Sequence, residues 1–280
     1  MGGLALALLA AASFGTADFL GGFASRRAAV LTVTLVGQAA GFAVVLPLLF
    51  LRPAPVDGAS LAWGALGGAI GCVGLLAFFR ALAGGVMSTA APVTAVVAAG
   101  VPVLAGVLLG ERPALQAWLG VGAGLLAVGV IGGSGGRAGA GDIRPARALA
   151  LALIAGLAFG LFFVALSRAP ASGGFWPLLG ARVSSVSLLV VLQLAGRREW
   201  RIGGDAAPPA ALSGMLDMTA NALFLLALRQ EQLVLVAVLV SLYPAATVIL
   251  ALGVLRERLR APQVAGVGLA LLAVGLISSS

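Results

Sequence analysis

A few polar side chains fall where water is scarce. Arg182 and Asp217 each lie near the middle of a long apolar run, and Asn221 follows Asp217 by one helical turn on the same face. Asp18 sits about four residues past the centre of another run, roughly 7 Å off-centre for a helix. Gln38 follows Thr34 by one turn in the next run. A charge at the middle of a bilayer costs ~2.5–3.5 kcal/mol on insertion scales, so each survivor needs a partner or a task. Arg182 and Asp217 occupy consecutive runs and can meet. One reading is a buried pair with no part in turnover. The other is a wet cavity in which the planar fork of Arg182 receives a substrate carboxylate, while Asp217 or Asp18 holds an ammonium or exchanges a proton. Asp18 has an alternative partner in Arg80, which lies toward the same side. Gln38, Phe79 and Tyr243 complete the expected substrate-binding set.

Much other chemistry is excluded. The chain has no Lys, no His and a single Cys. That removes the usual His/Cys zinc sites, a Ser-His or Ser-Lys nucleophile, a Schiff base and a P-loop. Neither a metal nor another cofactor is expected, and any driving force must come from ion or solute gradients. An intramembrane aspartyl protease would need Asp18 and Asp217 to share a proton, but their flanks do not resemble such enzymes. A channel would show a filter repeat or a ring of like charge, and neither is visible. The net charge of +8 comes from dispersed arginines rather than a basic stripe with aromatics, so no nucleic-acid partner is expected.

The elements that position these groups follow from composition. Of 280 residues, 61% are hydrophobic and 9% charged, too few charges to clothe a soluble domain. Apolar runs fall at about 3–24, 30–50, 60–81, 87–109, 114–132, 147–167, 174–195, 208–228, 232–254 and 261–279. Each is long enough to cross a ~30 Å hydrocarbon core as a helix. The first lacks a basic leader and reads as a structural helix. The expected fold class is an all-α polytopic membrane protein of ten transmembrane helices.

The ten runs divide into two halves. Gly120–Ile131 (GVGAGLLAVGVI) and Gly266–Ile277 (GVGLALLAVGLI) agree at nine of twelve positions at a spacing of 146. In the same register Glu111-Arg112 matches Glu257-Arg258 and Phe78 matches Phe224; one residue out of register, Phe14-Gly15 matches Phe159-Gly160. Residues 1–132 form the first expected repeat, 133–146 a Gly-rich linker and 147–280 the second. Five spans per half make the repeats inverted, a plan of secondary transporters with a midplane site. Connections after odd-numbered spans carry twelve arginines against four in the even ones, which predicts odd connections in the cytoplasm and both termini outside. Pro92, Pro102 and Pro244, inside spans 4 and 9, are expected hinges for alternating access.

Pro102…Leu109-Gly110-Glu111…Gly120…Gly129-Val130, its second copy Pro244…Leu255-Arg256-Glu257…Gly266…Gly275-Leu276, and Phe79-Arg80-Ala81-Leu82 together resemble the bacterial drug/metabolite transporter superfamily, EamA-like branch. Two departures are Arg256 where Gly is usual and Phe14-Gly15 where Trp-Gly is common. The resemblance implies a secondary-active exporter of small metabolites in the bacterial inner membrane, with no enzymatic activity. Among its branches the YddG-like exporters of aromatic amino acids are nearest, and organic-cation export is the alternative. It also implies lipid contact, protons as a candidate coupling ion, and a monomer or weak dimer. Glu111 and Glu257 are expected to serve structure, paired with Arg112 and Arg258 at the interface. Amino acids with aromatic or apolar side chains suit both signs of charge in the cavity and its phenylalanine lining.

Overall fold

Long apolar runs without water to satisfy their backbone must close their hydrogen bonds internally, and helices do so. A computed structural model describes residues 2–83, 87–133, 145–196, 200–243 and 261–278. Its helices are α1 (Gly2–Ser25), α2 (Val30–Ala40), α3 (Phe42–Leu51), α4 (Gly58–Ala83), α5 (Met87–Leu108), α6 (Leu115–Gly133), α7 (Pro145–Ser167), α8 (Trp176–Ala195), α9 (Ala207–Leu228), α10 (Leu233–Val240) and α11 (Ala261–Ser278). No strand occurs among the described residues. Six stretches among them are long and apolar enough to cross a bilayer: α1, α2 with α3, α4, most of α7, α8 and α9. The outside is as greasy as the inside. Phe50 and Leu108 are more than four-fifths exposed, which is stable against lipid and not against water.

The second expected span runs as one apolar stretch over Val30–Leu51, locally irregular at Gly41, which ends α2 and begins α3 while keeping right-handed helical angles. By contrast, α5 runs without interruption through Pro92 and Pro102. The expected hinge Pro244 and the structural Glu257 lie outside the described residues.

Close approach between helices rests on glycine. A Cβ on Gly68 of α4 would strike the backbone of Ala181 in α8, and one on Gly214 of α9 would strike Gly37 in α2. Gly68 and Gly214 stand at the repeat spacing, so the same device joins a helix of each half to the other half. The halves interleave in this way throughout. α1 packs along α9, α4 between α7 and α8, α5 along α7, and α6 along α11.

Both ends of the bundle can be assigned from contacts. Trp176 donates its indole N–H to Ala54 O (3.0 Å), and Arg229 donates to Gly174 O (2.6 Å). Gly2 and Gly3 abut Gln230 and Glu231. Burial, then the charge of neighbouring Arg52, lowers the pKa of Arg229 from its ordinary value. The Glu111 carboxylate accepts from the backbone N–H of Leu233 and Val234 (2.9 Å each), capping the start of α10. The N-terminus and the connections 52–57, 109–114, 168–175 and 229–232 therefore share one face. The α1–α2 turn lies at the other. Among the described residues no ion pair joins Glu111 to Arg112; its partners are backbone donors of the other half.

Candidate functional site

Arg182 projects from the second turn of α8 and is 3% exposed, too buried to keep its charge without partners. It has two. Nη2 donates to Asp217 Oδ2 on α9 at 2.5 Å, the only ion pair among the described residues, and Nη1 donates to Gln38 Oε1 on α2. Ser185, one turn along α8, also donates to Gln38 Oε1 (2.8 Å). Asn221 Nδ2 donates to the Asp217 carboxylate (3.3 Å) and to its backbone carbonyl (2.8 Å). The guanidinium lies against Gly41, where a Cβ would come within 2.9 Å of Cζ. Gly41 thus stands where Arg182 needs room.

Not every polar atom in this group is paired. The donor Arg182 Nε and the acceptor Asn221 Oδ1 are both buried without a hydrogen bond. Asp18 on α1 makes no ion pair among the described residues and lines the same cavity as Asp217. One cation thus faces two carboxyl groups. Arg80, the other partner considered for Asp18, is exposed at the far end of α4.

These groups surround a partly open cavity of about 730 Å³, its mouth included. Asp18, Gln38, Arg182, Asp217, Asn221 and Tyr243 line it, so six of the seven expected substrate-binding residues meet there. Phe79 does not; its ring is seated against Gly21 and faces a smaller neighbouring space. The apolar wall comes from Phe14, Phe159, Phe162 and Phe163. Phe163 meets Phe14 edge-on at 5.9 Å and Phe224 at 4.5 Å. Gly71 and Cys72 of α4 also line it, and neither is among the substrate-binding residues expected from the sequence. A signal did exist. Gly71, Cys72 and Leu75 stand at the repeat spacing from Asp217, Met218 and Asn221, and all six line the cavity.

A bundle whose charges converge on an internal cavity agrees with what comparison finds. The model of the EamA-like transporter family matches residues 1–133 and 146–279. The chain belongs to the EamA-like transporter family. It is accordingly a multi-pass membrane protein of a transporter family within the drug/metabolite transporter superfamily, and not of an enzyme family. One solved crystal structure of a protein shares the fold, with a TM-score of 0.70 at 19% identity over 96% of each chain. No curated protein matches the sequence.

Proposed function

We propose that the protein is a secondary carrier for small ammonium-bearing solutes with aromatic or apolar bodies, amino acids foremost. It exports them across the bacterial inner membrane by alternating access, as in the YddG-like branch. The observation that carries this reading is the charge balance of the cavity. Asp217 and Gln38 take the two terminal nitrogens of Arg182, whose Nε keeps no partner, while Asp18 and Asn221 Oδ1 remain as acceptors. A group rich in N–H donors and positively charged satisfies both, and the phenylalanine wall accepts the solute's body and favours a cation. A proton on Asp18 in place of the solute would satisfy the same carboxylate, which makes protons the coupling ion of choice.

Alternating access is supported by the pairing of positions around the cavity. Gly71, Cys72 and Leu75 face Asp217, Met218 and Asn221 at the repeat spacing, as expected for a site on the axis between two inverted halves of five spans each. The family match in two blocks supports the same division at residues 133–146. On this plan the arginine-poor face, with both termini, is external.

Organic-cation export is the second reading, and the Arg182–Asp217 ion pair favours it, because a substrate carboxylate must compete with Asp217. Uptake into proteoliposomes, with and without a pH gradient, separates the two. Phenylalanine, phenethylamine and a quaternary ammonium of similar size form the panel. Saturable uptake of phenylalanine supports amino-acid export; uptake of the two cations alone supports the second reading. In either case Asp18→Asn should lower uptake at least about tenfold with yield unchanged, since a charge-assisted hydrogen bond contributes ~1.5–3 kcal/mol. Full activity in Asp18→Asn would sink the proposed role of this carboxylate.

A further inference from the structure

Phe79, Thr34 and Ser213 have no part in the larger cavity, yet they border a second, much smaller space beside it, about 260 Å³ with its mouth included and with room for about one water molecule. The two spaces share Gln38, Leu75 and Asp217 as common wall. Their direction follows from position along the helices. Thr34 is in the second turn of α2, Ser213 in the second turn of α9 and Phe79 in the last two turns of α4, all toward the face of the α1–α2 turn. Residues that line only the larger cavity, such as Phe163, Leu178 and Asn221, lie toward the opposite face of the bundle, the one that carries the N-terminus of the chain.

We infer that the two cavities are serial chambers of one pathway, with the Gln38–Arg182–Asp217 bridge as the partition between them and Phe79 as the plug that closes the smaller chamber toward the α1–α2 turn. This rests on the carrier reading above. The bridge ties α2, α8 and α9 across the path by hydrogen bonds, and two of its three members show one side to each chamber. A charged solute or proton arriving from either side competes for those same bonds, so the partition yields to the species it admits. The plug is held differently. Phe79 is 5% exposed, its ring fills the notch left by Gly21, and the adjoining wall is fixed by Ser213 donating to Ala17 O (2.7 Å). Only apolar contacts hold the ring, so swinging it aside breaks no hydrogen bond.

Two thiols report on the two chambers. Native Cys72 lines the larger one, and Thr34→Cys in a Cys72→Ser background places a thiol in the smaller. A membrane-impermeant, charged methanethiosulfonate is applied to sealed vesicles of each orientation, so that one orientation presents the face of the α1–α2 turn. From that face, Phe79→Ala should speed modification of the Thr34→Cys thiol by at least about tenfold, the change expected for a decade's shift in gate population. Cys72 should stay slow in Phe79→Ala and accelerate by a similar factor only when Gln38→Ala is added. An unchanged rate for the Thr34→Cys thiol removes the plug, and fast labelling of Cys72 in Phe79→Ala alone removes the partition. If Phe79→Ala does not yield a monodisperse protein, Phe79→Leu and Phe79→Val must raise the rate in that order; equal rates overturn the proposal. The thiol chemistry needs no solute. A working carrier with ungated thiols refutes the chambers alone, and gated thiols without transport of the panel refute the carrier reading alone.

Discussion

The Arg182–Asp217 pair sets the terms on which every other polar group in the cavity acts. Arg182 is removed from water and Asp217 largely so, and their attraction offsets that loss only while both are present. Removing one partner leaves an uncompensated buried charge, at a cost of about 3–5 kcal/mol. Arg182→Gln and Asp217→Asn should therefore each lower the melting temperature in detergent and the yield, Arg182→Gln the more because two carboxylates then remain. The double variant should recover most of the lost stability. If instead both single variants are as stable as the parent and differ only in uptake, the pair is a working site and not a brace. The sequence showed Arg182 and Asp217 on neighbouring spans at one depth, which was enough to bring them together. It did not show that Gln38 would take the second guanidinium nitrogen, that Asp18 would be left over, or that Phe79 would face a different space. Those outcomes depend on how far each helix is turned about its own axis, which neighbouring helices decide.

Helix rotation and spacing are in turn set by glycine, but glycines of equal appearance in sequence differ in what they face. A Cβ at Gly214 would run into the backbone of Gly37, which cannot move aside without parting α9 from α2. One at Gly129 on α6 would meet nothing within 4 Å. Gly214→Ala should therefore abolish the folded species on size exclusion, whereas Gly129→Ala should be neutral or raise stability by up to ~1 kcal/mol through helix propensity. The ends of helices carry their own device. Asp57, just before α4, accepts from the Ser60 hydroxyl (2.5 Å) and from the backbone N–H of Ser60 (3.0 Å) and Ala59 (3.2 Å). The Ser60 hydroxyl bond, then its backbone bond, hold the Asp57 carboxyl below the usual carboxylate value. A lowered folded-state value means stability that is fully present above the unfolded value and lost as pH falls through the folded one. The melting temperature should thus drop below about pH 4, and Asp57→Asn should make that drop smaller. The particular role of Gly41 was not legible, because it resembles the packing glycines around it; only the guanidinium of Arg182 against it reveals what its missing side chain makes room for.

At the scale of the whole molecule, duplication was the most legible feature and interleaving the least. Identity between 120–131 and 266–277 reveals that two segments are alike, but it says nothing about which surfaces meet. The contacts show that each half makes its main packing surfaces with the other. α1 and α2 lie on α9, α4 lies on α7 and α8, α5 lies on α7, and α6 lies on α11. Helices α2, α8 and α9 must all be in place before Arg182 has its partners. Neither half can then bury its charges or seat its close-packing glycines alone. Residues 1–133 and 145–280 expressed separately should each fail to give a stable species, while their co-expression should return a complex that purifies together. In that complex the native thiol of Cys72, whose wall comes from both halves, should be as protected as in the intact chain. A first half that is stable and monodisperse alone would show that the halves are independent domains, and the cavity between them would lose its claim to be the organising centre of the fold.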